Sequence, residues 1–123
     1  MKIYLSHAKK FDFVNELYEP IKNSDLIKKH QFTFPHENNK VINCEKIFRN
    51  KEVDLVLAEV SYPATGQGIE LGYAEILEIP IVCCYKKGSD LSGSLRWISK
   101  KFIEYNDPDD LIQKLMKELK NEK

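Results

Sequence analysis

Glu70 is the residue of this 123-residue chain best placed to do chemistry. Ahead of it runs Val53-Asp54-Leu55-Val56-Leu57-Ala58-Glu59-Val60, which reads as a strand covered on both faces. Residues 61–68 follow, and their Ser, Pro, Thr and two glycines read as a loop. From about Ile69 the spacing turns helical, with Ile69, Tyr73, Ile76 and Leu77 able to share one broad face. Glu70 is therefore expected in the first turn of a helix, just beyond the carboxyl end of a buried strand. Open α/β sheets bind ligands there. A carboxylate in that place can stabilise an electron-poor sugar cation and then trap it as an ester, the chemistry of glycosyl transfer. A structural explanation stands beside this one. The partial positive charge of a helix terminus favours a first-turn Glu by roughly 0.3–1 kcal/mol with no function required. Gly66 and Gly68 let backbone approach a ligand closely, and they equally suit a tight strand-to-helix turn.

The elements that must position Glu70 can be read in order. Residues 2–6 form a short first strand, apolar at Ile3 and Leu5, that opens into Ser6-His7-Ala8. Phe13, Val14, Leu17, Tyr18 and Ile21 make a helical stripe, and Pro20 should kink that helix or end it near Glu19. Residues 31–34 are a second strand, with Phe32 and Phe34 on one face, stopped by Pro35. Asn38 and Asn39 are candidate starts for a helix to about Asn50 that turns Val41, Cys44 and Phe48 inward. Residues 79–85 form a fourth strand, 92–99 a short helix with Leu95 and Trp97, and 101–105 a fifth strand. Asp107 caps the last helix, Pro108 opens it, and Leu111, Ile112, Leu115, Met116 and Leu119 give its inner face.

Alternating strands and helices define an α/β class. The expectation is a flavodoxin/Rossmann-like three-layer sandwich with a five-stranded parallel sheet, order 2-1-3-4-5, as one domain over residues 1–123. Strands one and three are then neighbours from which the chain departs in opposite directions. The crevice between them gathers Tyr4, Ser6, His7 and Glu70 around one site.

Composition narrows the partners. Lys plus Arg and Asp plus Glu both number 19, so the chain lacks the basic footprint of a nucleic-acid surface. No apolar run approaches the roughly 20 residues of a membrane span, and the first residues have no signal-peptide layout. A cytoplasmic protein is expected. Cys44, Cys83 and Cys84 have no metal-type spacing. They read as free thiols, Cys83 and Cys84 on opposite faces of a strand. Neither a metal nor a cofactor is expected.

Residues 58–74, Ala-Glu-Val-Ser-Tyr-Pro-Ala-Thr-Gly-Gln-Gly-Ile-Glu-Leu-Gly-Tyr-Ala, resemble the signature of the nucleoside 2-deoxyribosyltransferase-like superfamily. The resemblance is closest to its 2'-deoxynucleoside 5'-monophosphate N-glycosidase branch. It implies that Glu70 is the nucleophile attacking the anomeric carbon, and that Tyr4, matching a first-strand Tyr of the family, lies beside it. The family's Asp on the helix before the central strand has no match, because no Asp occurs between Asp25 and Asp54. Glu45, next to the matching position, is the candidate substitute.

Phosphate recognition also departs from the family, whose first loop is richer in Gly. Here Ser6, His7 or Lys9 would serve a phosphate, with Thr65 a further donor near the nucleophile. Ala64 stands near the place where transferases acting on unphosphorylated nucleosides have an Asp for the 5'-hydroxyl, which favours the nucleotide branch. Ser92 matches the Ser that a neighbouring subunit offers to the phosphate, implying a homodimer or higher assembly; it would otherwise be an ordinary helix cap. His36 falls where several of these hydrolases carry a His, and would otherwise be a solvent-facing loop residue. Cleavage of the base–sugar bond of a deoxynucleotide or deoxynucleoside is thus the expected activity. Two alternatives remain. One is a non-catalytic nucleotide- or partner-binding module of the same fold, suggested by the missing Asp. The other is a TIR-like NAD glycohydrolase, since residues 3–8 and 13–18 resemble the opening of a TIR domain.

Overall fold

Leu55–Glu59 forms the central strand β3, and all five of its residues are buried. Such a strand has to be covered on both faces. A computed structural model, which describes residues 1–39 and 42–120, shows what covers it. The other strands are β1 (Lys2–His7), β2 (Gln31–Thr33), β4 (Ile81–Lys86) and β5 (Lys101–Tyr105). All pair in parallel in the order β2-β1-β3-β4-β5, as the alternation of elements predicts. Ser6 lies opposite Ala58 and His7 opposite Glu59, so β1 and β3 reach the switch point together.

Residue parity along the strands sorts the core into two layers. Ile3, Leu5, Leu55, Leu57 and Cys84 pack with Leu17 and Ile21 and with the last helix, α5 (Pro108–Lys120). Tyr4, Val56, Ala58 and Cys83 pack on the other face with Phe48, Leu71 and Ala74. Cys83 and Cys84 are buried free thiols on opposite faces. Helix α5 begins as read, with the Asp110 N–H donating to Asp107 Oδ1 at 2.8 Å. It buries Leu111, Leu115 and Leu119, each contributing about 1.5–3 kcal/mol.

Several boundaries differ from the reading of the sequence. A wide π-turn, Val14–Tyr18, runs directly into α1 (Glu19–Lys22), so the helix changes type at Glu19, next to Pro20, and does not end there. Pro20 has no N–H to bond the carbonyl four residues back, which explains the irregularity. Val14 falls outside the buried stripe and is exposed. A single-turn helix, α2 (Leu26–Lys29), was not anticipated. Helix α3 (Cys44–Arg49) starts at Asn43, whose Oδ1 accepts from the Lys46 N–H at 3.1 Å. Neither Asn38 nor Asn39 starts it: Asn38 has φ 57° within a short 3₁₀ turn, Glu37–Asn39. Val41 lies outside the described residues.

The most consequential correction concerns the helix carrying Glu70. Helix α4 spans Thr65–Ile76, and the Gly68 N–H already donates to the Ala64 carbonyl at 3.0 Å. Glu70 therefore sits in the second turn, where help from the helix terminus has faded. Gly66 and Gly68 each disfavour helix by about 1 kcal/mol relative to Ala, which made this stretch read as loop. A tertiary bond holds the turn instead: Gln67 Nε2 donates to the Glu59 carbonyl at 2.8 Å. The inner face differs too. Gln67, Leu71 and Ala74 are buried, while Ile69 is 55% and Ile76 80% exposed. Residues 92–99 contain a 3₁₀ helix, Gly93–Trp97.

Candidate active site

Strand β1 delivers Tyr4 and Ser6 to the face on which α4 packs, and both side chains end on Glu70. The Tyr4 hydroxyl donates to Glu70 Oε2 at 2.6 Å and the Ser6 hydroxyl to Oε1 at 2.9 Å. The Tyr4 ring is locked edge-on against Phe48, with centroids 5.1 Å apart. Burial pushes the Glu70 carboxyl above its ordinary value, while the Tyr4 and Ser6 hydroxyls and the nearby His36 pull it back. Burial, reinforced by the Glu70 charge, drives the Tyr4 hydroxyl far up, so it remains a donor. The result is a carboxylate held at both oxygens by neutral hydroxyls, with no cation among the described residues bonded to it.

Glu70 opens on a cavity of about 430 Å³ that His7, Lys9, Lys10, His36 and Gly66 also line. His36 is half-buried, and its main-chain N–H donates to the Tyr18 hydroxyl at 3.2 Å. That hydroxyl lies 2.7 Å from His7 Nε2, and His7 Nδ1 lies 3.0 Å from the Ala8 carbonyl. A carbonyl only accepts, so Nδ1 carries the proton and Nε2 accepts from Tyr18. Burial lowers the His7 pKa to about 4, and its ring stacks on Phe13 at 4.4 Å. His7 is thus neutral at physiological pH. Lys9 and Lys10, which also line this cavity, bring positive charge to it.

Thr65, Gly68 and Ser92 belong elsewhere. They line a second cavity of about 490 Å³, largely apolar, with Val60, Leu71 and Leu95 in its wall. Ser92 caps the 3₁₀ helix, its hydroxyl accepting from the Ser94 N–H at 3.3 Å. Pro63, Ala64 and Gln67 border both cavities, so the start of α4 is the partition between them. Glu45 lines neither. Its Oε2 accepts from Arg49 Nε at 2.8 Å, one turn along α3. Its neighbour Cys44 lies in the field of Glu70, its thiol pushed up chiefly by burial and then by that charge.

Reading the residues one by one missed Glu59 and Gln67. Glu59 is 1% exposed, and its Oε2 accepts from the hydroxyls of Ser61, at 2.7 Å, and Tyr105. Its Oε1 accepts from the Ser61 N–H at 2.8 Å. The signal was available: a carboxylate closing an otherwise apolar strand has to find buried donors. Among the described residues no cluster of His, Cys, Asp and Glu could hold a metal ion. No described helix is long and apolar enough to cross a membrane.

The fold and site define a class: an open parallel α/β sheet with a partly buried, hydroxyl-held carboxylate at its switch point. Comparison with known proteins agrees with the family resemblance of residues 58–74. The chain is similar to a 2'-deoxynucleoside 5'-phosphate N-hydrolase of Syntrophotalea carbinolica, 48% identical over 40 residues, 32% of this chain and 28% of that protein. A protein of the same name from Thermofilum pendens is 30% identical over 70 residues, 53% of this chain and 49% of its own length. The matched stretches thus span half or less of these curated relatives. No protein-family model matches the chain. Among solved structures, the CMP N-glycosidase BcmB of Clostridium botulinum shares the fold. It has a TM-score of 0.64 and 22% identity, over 94% of this chain and 99% of that one. These relatives are of the nucleoside 2-deoxyribosyltransferase-like family, which this chain resembles in sequence and fold.

Proposed function

We propose that the protein cleaves the N-glycosidic bond of a nucleoside 5'-monophosphate, in the first instance a 2'-deoxynucleotide, with Glu70 as nucleophile. The observation that carries this is the Glu70 carboxylate, pinned by Tyr4 and Ser6 at 2.6 and 2.9 Å and open on a cavity edged by Lys9 and Lys10. One Glu70 oxygen attacks the anomeric carbon as the carbon–nitrogen bond breaks, and the bond pair leaves with the base. The base takes up a proton, and water then hydrolyses the glycosyl ester to regenerate the carboxylate. His36 faces the same cavity and can supply that proton; Glu45 can do so only by giving up Arg49. Lys9 and Lys10 suit a phosphate, while the Ser6 hydroxyl is engaged by Glu70. Water as acceptor makes the protein a hydrolase, and a second base makes it a transferase. Ser92 opens on the other cavity, in keeping with service to the site of a second copy in a homodimer.

A non-catalytic nucleotide-binding module is the second reading, favoured by the engagement of Glu45 with Arg49. Incubating the purified chain with deoxynucleoside monophosphates, ribonucleoside monophosphates, deoxynucleosides and NAD, and measuring released base or nicotinamide, separates the readings. Free base from a monophosphate is the expected result. Nucleotide binding with no release of base would establish the module instead.

A further inference from the structure

Gln67 is 6% exposed, sits in the first turn of α4 and borders both cavities. Its amide nitrogen donates to the Glu59 carbonyl at 2.8 Å. A carbonyl only accepts, so the orientation of the amide is decided: Nε2 faces Glu59 and Oε1 faces away. Among the described residues nothing donates to that oxygen. Yet no fully enclosed side-chain oxygen or nitrogen among them lacks a partner, so Oε1 is open on a cavity and not sealed in the core. Placing a polar side chain beside Leu71 and Ala74 has an energetic cost that a Leu or Met would avoid. The spacing to Glu70, three residues, puts the two side chains on one side of the helix, one turn apart.

We propose that Gln67 determines substrate specificity, its Oε1 accepting a hydrogen bond from the bound nucleotide close to the bond that breaks. This rests on the N-glycosidase reading of Glu70. The donor is an O–H or N–H group of the substrate, either a sugar hydroxyl or an exocyclic amine of the base. A substrate with hydrogen in place of the hydroxyl leaves Oε1 unpaired, and one with an oxo group in place of the amine sets two acceptors face to face. Both are penalised in a site built around a buried polar group. The Glu59 carbonyl keeps the amide from turning round to offer a donor instead.

The test uses paired monophosphates. CMP against dCMP and AMP against dAMP report a hydroxyl; dCMP against dUMP and dAMP against dIMP report an amine. With kcat/KM as readout, the wild type should prefer the donor-bearing member of one kind of pair by about tenfold or more. Gln67→Met should bring that ratio close to one, with the loss falling on the preferred substrate. Gln67→Asn, which draws the same amide back by one methylene, should fall between. A wild type indifferent to both kinds of pair overturns the assignment, and so does a variant that keeps the wild-type ratio. Should Gln67→Met fail to fold by circular dichroism, the wild-type ratios and Gln67→Asn decide. If the wild type cleaves none of these substrates, the N-glycosidase reading falls by itself. Calorimetric titration of the same pairs then judges Gln67, and equal affinities within each pair overturn its role.

Discussion

Two carboxylates flank the connection between β3 and α4, and they are buried in different ways. Glu59 closes the strand and has three donors on its two oxygens, from the Ser61 N–H, the Ser61 hydroxyl and the Tyr105 hydroxyl. Glu70, on the helix, has one hydroxyl on each oxygen and a cavity beyond. Burial raises the carboxyl pKa of both. A carboxylate has about four lone-pair sites, so Glu59 is nearly saturated by protein while Glu70 keeps capacity for a ligand. Perturbation of the pKa alone does not separate the two. Access does. The closed carboxylate ties loop to strand, and the open one keeps room for a ligand.

Substitutions can break or sharpen this contrast. The largest effect is expected from Glu70→Gln, which keeps size and some hydrogen bonding but can neither form the ester nor oppose a developing cation. Turnover should fall by at least about 10³-fold, with melting temperature little changed. An active Glu70→Gln protein would refute the mechanism. Glu59→Ala should do the reverse. It strands the Ser61 and Tyr105 donors in the core and should remove about 3 kcal/mol of stability in urea unfolding, while kcat per folded molecule stays within a few-fold of wild type. A collapse of kcat at full folding would make Glu59 part of the reaction.

Tyr4→Phe comes next. It removes the 2.6 Å bond and one of the influences holding the Glu70 pKa down. Activity should drop roughly 10–100-fold, the worth of a hydrogen bond to a charged group, and the acid limb of kcat/KM should move to higher pH. An unmoved limb would mean that Tyr4 packs without tuning Glu70.

The smallest effect is in pH dependence. A carboxyl whose folded pKa is raised contributes stability that is present below its unfolded value, near 4.5, and lost as pH climbs through the folded value. Glu59→Gln removes one such contribution. The wild type should therefore lose melting temperature relative to Glu59→Gln as pH rises from 4.5. His7, with its folded pKa lowered to about 4, works in the opposite direction, losing stability as pH falls below 6.5, and cancels in this difference. Activity should instead rise over the same carboxylate window, because the proposed mechanism needs Glu70 ionised to attack. Parallel melting curves for the two proteins would show that Glu59 is not perturbed by its burial.

How far sequence reached depended on whether the signal was local. The five strands, their order and the Asp107–Pro108 start of α5 follow from apolar runs and cap chemistry, which act over a few residues. The convergence of Tyr4, Ser6 and Glu70 followed from topology, because parallel strands with right-handed crossovers leave β1 and β3 adjacent. Helix α4 was less legible. It carries two apolar stripes at helical spacing, Ile69–Tyr73–Ile76 and Leu71–Ala74, and periodicity cannot choose between them. Packing against β3 chose the second and left Ile69 and Ile76 exposed.

What the sequence determined by itself was the parallel α/β fold and the identity of the carboxylate at its switch point, since both rest on residue types at short spacings. What only the tertiary structure decided was the company each polar group keeps. Gly66 and Gly68 became helix because Gln67 reaches back to Glu59. Glu45 turned to Arg49, and His7 was shut among Phe13 and Tyr18. For Gln67 and His7 the physical reason is the same. A buried polar atom has to find a partner, and for Gln67 and His7 that partner lies eight and eleven residues away, beyond the reach of any local pattern.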